Sequence, residues 1–77
     1  MARVRTFFRT SASAVAHPTE VECGWQVVSG DQVLLQLSSY GSDQRMSHKK
    51  VSQTLQLDRE RALELARIVR LVFPEEV

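Results

Sequence analysis

Cysteine is almost missing from this chain. Cys23 stands alone, so no disulfide can form within it. His17 and His48 are the only histidines, and with a single thiol they do not make the ligand set of a structural zinc site. No metal and no cofactor is expected. Long apolar runs are missing too. None approaches the ~20 residues needed to span a bilayer, so no membrane partner is expected. Net charge is small: ten Lys and Arg against nine Asp and Glu give +1, and composition alone does not mark a nucleic-acid binder. A lone cysteine fits a reducing compartment, and the expected location is intracellular, either cytoplasmic or nucleoid-associated.

Length bounds the answer further. Seventy-seven residues allow one domain. A domain of this size hides only about 60% of its unfolded surface. Small folds are supported by disulfides, metals or oligomerisation. The first two are not on offer here, which leaves oligomerisation.

What is present is organised around residues 50–73. This run reads as a strand that breaks at Leu57 and Asp58 and becomes a helix. The Asp58 carboxylate suits an N-cap, where it accepts from an unpaired amide of the first turn. Glu60 follows where negative charge suits the helix dipole, and Arg67 and Arg70 lie toward the end where positive charge suits it. Pro74 biases Phe73 out of the helical region and closes the segment.

The faces of this helix are unequal. Ala62, Leu65, Ala66, Ile68, Val69, Val72 and Phe73 fill an arc of about 160°. Covering one sheet takes an apolar stripe of only ~100° or a little more. Leu63 and Leu71 interrupt the polar side. The surplus predicts a helix that covers its own sheet and meets a second surface, with Leu63, Ile68, Leu71 and Val72 at a homodimer interface. The plainer alternative is that Leu63 and Leu71 are singly exposed, as many leucines are.

Three strands are expected ahead of the helix. In residues 20–29, Val21, Cys23, Trp25 and Val27 alternate with Glu22, Gly24, Gln26 and Val28. Ser29, Gly30 and Asp31 mark a turn, with Gly30 able to take positive φ. Residues 32–40 return, with Val33, Leu35 and Leu37 alternating with Leu34, Gln36, Ser38 and Tyr40. The connection 41–50 is longer than a hairpin loop and basic, holding Arg45, Lys49 and Lys50 against Asp43. In residues 50–57, Val51, Leu55 and Leu57 share a face with Gln53, the one polar residue there. A sheet edge or a local irregularity accounts for Gln53.

Residues 1–18 differ in composition from the rest. They hold Arg3, Arg5 and Arg9 and no acid, and they end at Pro18. Three readings stay open: an edge strand in which Val4, Thr6 and Phe8 alternate with Arg3, Arg5, Phe7 and Arg9; an organellar transit peptide; or a mobile basic arm. The expected organisation is therefore an arm or edge strand over 1–18 and one β-β-β-α domain over 19–77. The fold class is α+β, with a three- to four-stranded antiparallel sheet and one C-terminal helix covering one face. That face bears Val21, Trp25, Val27, Leu35, Leu37, Leu55 and Leu57, with Cys23 as an inert core thiol and Trp25 as core. The opposite face carries Gln26, Gln36, Ser38, Tyr40, Ser52, Thr54 and Gln56.

Catalysis finds no support. Ser47 and Lys50 match S-x-x-K, but the chain lacks the partner motifs that chemistry needs. A non-catalytic protein is expected. His48 is a solvated side chain by default, with a phosphate contact as the sharper idea. Arg45, Lys49 and Lys50 at the rim of a polar sheet can neutralise phosphates. Tyr40, or Phe7 and Phe8 from the arm, can stack on bases. Gln36, Ser52 and Thr54 can hydrogen-bond sugar, phosphate and base edges. A solvated polar sheet face is the bland alternative.

The order of elements, with Lys49-Lys50-Val51 and Leu55-Gln56-Leu57-Asp58, resembles the single-stranded-DNA-binding domain of the transcriptional coactivator family called positive cofactor four. The likeness is one of pattern and spans about residues 24–70. It departs from the family where no glycine follows Lys50, where the stretch to Asp58 is longer, and where the second-strand aromatics reduce to Tyr40. The resemblance implies a curved sheet, a helix-mediated homodimer and a basic channel for unpaired strands. It supports Lys49 and Lys50 as contacts. The expected function is a small dimeric protein that binds single-stranded DNA with little sequence specificity, with a role in transcription regulation. The alternative is a protein-interaction module using the helix face or a sheet edge.

Overall fold

The computed structural model describes residues 1–41 and 51–74. The fold is α+β: a sheet of four strands followed by one helix. The strands are β1 (Ala2–Arg3), β2 (Glu22–Val28), β3 (Leu34–Tyr40) and β4 (Val51–Leu57), and the helix is α1 (Arg59–Val72). Their order across the sheet is β1-β4-β3-β2.

β2, β3 and β4 pair antiparallel, and β1 pairs parallel to β4. The sheet is thus mixed, and the wholly antiparallel expectation is corrected at one edge. The connection to β4 explains the expected direction of β3, but nothing local constrains β1. Its partner lies more than fifty residues away in sequence, with Ala2 opposite Leu55 and Arg3 opposite Gln56. The edge strand also covers less of the arm than the alternation predicts. It takes Ala2 and Arg3 and leaves Thr6 and Phe8 outside. Two bonds hold the arm beyond it: the Val4 amide donates to the Gln56 carbonyl at 2.9 Å, and Arg61 Nη1 donates to the Arg5 carbonyl at 2.8 Å.

The β2–β3 connection runs over residues 29–33 and uses no left-handed glycine; no described residue has positive φ. The expected special role of Gly30 is corrected, because a connection of this length turns without it. The irregularity anticipated near Gln53 is real. Ser39 pairs with Gln53 and Tyr40 with Val51, so the register shifts there and passes over Ser52. A bulge of this kind bends the strand and re-aims its side chains.

The helix begins as its sequence dictates. Asp58 has extended backbone, and its Oδ1 accepts from the Arg61 amide at 2.8 Å. Such a cap contributes about 1 kcal/mol. Glu60 lies in the first turn and Arg70 in the last, complementing the dipole. Arg61 Nε lies 3.2 Å from Glu64 Oε1, an i,i+3 ion pair. At Phe73 the amide returns to the Val69 carbonyl at 2.8 Å, and the helix stops.

Packing departs further from expectation. α1 touches β3 and β4 and does not reach β2. It lies near Leu35 and Leu57 through Ala62 and Leu63. Among the described residues Leu57, 2% exposed, is the best-buried apolar side chain; Leu34 is buried as well, on the opposite side of the sheet. Trp25 is 72% exposed, and Val21, Val27 and Leu55 are exposed as well. Cys23 is also exposed. Trp25 and Cys23 are therefore not core in the single chain. The reason is reach: a helix that stops over the central strands leaves the edge strand β2 uncovered. The radius of gyration is 14.9 Å, against about 11–12 Å for a compact domain of this length.

Candidate nucleic-acid interface

The two sides of a strand alternate, so residues opposite one another in the register share a face. Leu57, Leu35 and Val27 are in register, as are Leu55, Leu37 and Trp25. These make the apolar side. On the other side, an apolar row of Val28 and Leu34 lies at one end of the strands, and three further rows follow. Gln26, Gln36 and Gln56 form one row, and β1 adds Arg3 beside Gln56. Gly24, Ser38 and Thr54 form the next, and Glu22 with Tyr40 forms the third.

The polar side is bonded to itself in an orderly way. Gln56 Nε2 donates to Gln36 Oε1 at 2.8 Å. This ties β4 to β3 through side chains and holds both amide planes. Each amide keeps unused capacity: the Gln36 amino group still donates and the Gln56 carbonyl still accepts. Ser38 Oγ and Thr54 Oγ1 lie 3.1 Å apart. Ser38 is 7% exposed and Thr54 8%. Their hydroxyls satisfy each other, as buried polar groups must. Thr54 thus serves first to bridge the central strands.

Tyr40 is half-buried at the end of β3. Its ring lies against Gly24. A Cβ built at position 24 would stand 3.1 Å from Tyr40 Cε2, closer than ordinary van der Waals contact. Glycine in a strand interior weakens the strand and marks close approach of another group. Here the group is the Tyr40 ring. Gly24, Gln26, Gln36, Ser38 and Tyr40 line a shallow hollow on this side.

Of the residues expected at the site, Gln36, Thr54 and Tyr40 share this face. Ser52 is exposed and lies at the register shift, outside the paired rows. Arg45, Lys49 and Lys50, and with them His48, fall outside the described residues. Gly24 lies on the face that the strand alternation gives it, though it was not expected as a site residue, and Arg3 joins the face without having been expected there. A lone glycine inside an alternating strand was the available signal for Gly24. No local signal marks Arg3, because its place depends on pairing with a distant strand.

The expected dimer residues are exposed on α1. Leu71 is 80% exposed and Val72 60%, with Leu63 and Ile68 less so. Among the described residues, no group of His, Cys, Asp and Glu is placed to hold a metal ion. No helix of the described chain is long and apolar enough to cross a membrane. Comparison with family models, with curated proteins and with solved structures found no match for this chain.

Proposed function

We propose that this protein binds single-stranded nucleic acid, preferentially DNA, through the polar side of its sheet, without strong sequence preference and without catalysis. The observation that carries the reading is the face built by Gln26, Gln36, Gln56 and Tyr40. It offers amides held in place and an aromatic ring seated on Gly24, and the basic residues Arg45, Lys49 and Lys50 precede β4 in the sequence. Amides can hydrogen-bond sugar, phosphate and base edges. A ring on an open sheet can stack on a base of any identity. The basic residues supply the phosphate contacts, which are the source of affinity and of salt dependence. The pattern-level resemblance to the positive cofactor four family points the same way, toward a transcription-associated role.

The acting unit in this reading is a homodimer. Only Leu34 and Leu57 are buried apolar side chains among the described residues. A second copy that lays its helix over Trp25, Val27 and Leu55 would enlarge the buried layer around Leu57, on the side of the sheet opposite Leu34. A second reading, a module that recruits a different protein, draws on the same exposed apolar side.

The test is anisotropy of fluorescent 20-nucleotide single-stranded and duplex DNA over a salt series. Six phosphates held by a dimer through Arg45, Lys49 and Lys50 contribute roughly −4 to the slope of log K against log salt for single strands. Replacing Arg45, Lys49 and Lys50 together by Glu should abolish binding. A slope near zero, or binding that ignores the triple substitution, would sink the electrostatic mechanism. Undiminished capture of a protein partner by the triple variant would favour the second reading.

A further inference from the structure

We infer that Arg3 is a phosphate contact of the same interface, brought there by the parallel strand β1. The inference rests on the nucleic-acid reading and extends it to the N-terminal arm. The register sets Arg3 opposite Gln56, so it lies on the side of the sheet that carries Gln36 and Gln26. The row Arg3, Gln56, Gln36, Gln26 crosses all four strands and ends in a cation. Two independent bonds fix the arm in this place. The Val4 amide meets the Gln56 carbonyl, and the Arg61 guanidinium meets the Arg5 carbonyl. Arg61 Nε also lies 3.2 Å from Glu64 Oε1 on the same helix, an ion pair without hydrogen-bond geometry.

The chemistry of Arg3 suits the role. It is exposed, and among the described residues it has no ion pair to give up. Guanidinium matches a phosphate with two parallel donors. Backbone pairing, not the Arg3 side chain, makes β1, so the position is free to carry function. Arg9 is the natural contrast. It belongs to the same arm, carries the same charge, and lies outside the strand and beyond these two bonds.

The experiment compares the full chain with Arg3→Gln, Arg3→Lys and Arg9→Gln, using fluorescent 20-nucleotide single-stranded DNA over a salt series. Arg3→Gln should reduce the magnitude of the salt slope by about 0.7 per chain, the loss of one phosphate contact. Arg3→Lys should keep the slope, and Arg9→Gln should leave it unchanged. Thermal melting should be the same for all four proteins. A wild-type slope in Arg3→Gln would overturn the inference while leaving the nucleic-acid reading intact. Equal losses in Arg3→Gln and Arg9→Gln would also overturn it, since the arm would then act only through diffuse charge. Absence of binding by the unaltered chain would remove the reading and the inference together.

Discussion

The two sides of this sheet solve opposite problems. The polar side is finished. Gln36 and Gln56 bond each other, Ser38 and Thr54 bond each other, and Tyr40 rests on Gly24. The apolar side is unfinished. Leu35 and Leu57 lie under the first half of the helix, while Trp25, Val27 and Leu55 stay exposed. The helix repeats the contrast along its length. Ala62, Leu65 and Ala66 near its start are half-buried, and Ile68, Val69, Leu71 and Val72 toward its end are exposed. Polar groups can satisfy one another pairwise across neighbouring strands, so a small chain can complete that side locally. Apolar burial needs a second layer of matching area, and one helix of fourteen residues over a four-stranded sheet does not supply it.

Three substitutions test the contrast between the two sides. Leu57→Ala strikes the one place where the apolar side is closed. It should cost ~2–5 kcal/mol and lower the melting temperature by at least about 10 °C, read by calorimetry. A loss under about 1 kcal/mol would mean that the helix does not seal the sheet at Leu57. Trp25→Ser probes the open part. If a second copy covers it, sedimentation equilibrium should show the dimer weakened by at least ~2 kcal/mol, about thirty-fold in Kd. A chain that sediments as a monomer with and without Trp25 would remove the dimer. Thr54→Val probes the finished side. It removes one partner of a buried hydroxyl pair and should cost ~1–3 kcal/mol in urea unfolding. An unchanged midpoint would show that the Ser38 hydroxyl finds another partner.

Much of this fold is legible in the residues themselves. Asp58 announces the helix start, because its cap is made with Arg61, three residues away. The alternation of Gln36 with Leu35 and Leu37 announces which side each takes, because a strand has a period of two. Gln53 announces an irregularity, because a polar residue on an apolar side has to be accommodated. The candidate site is less legible. Tyr40, Gln36 and Thr54 can be assigned to one face from alternation, but the division of labour among them cannot. That Thr54 is buried against Ser38 while Gln36 is held by Gln56 depends on the register between β3 and β4. The misplacement of Trp25 and Cys23 has the same origin. Their side of the strand is readable from the pattern, but whether the helix extends over that side is not.

The residues alone set where the helix starts and stops, which segments form the three antiparallel strands, and which side of the sheet is mostly polar. These are consequences of capping, of turn residues and of a period-two pattern, all of which act within a few residues. It took the assembled fold to make β1 run parallel to β4, to end the glutamine row at Arg3, to lay Tyr40 on Gly24, and to stop the helix short of β2. Each of these joins residues distant in the chain or depends on how far one element extends over another. Such relations follow from the packing of whole elements, and no local pattern encodes them.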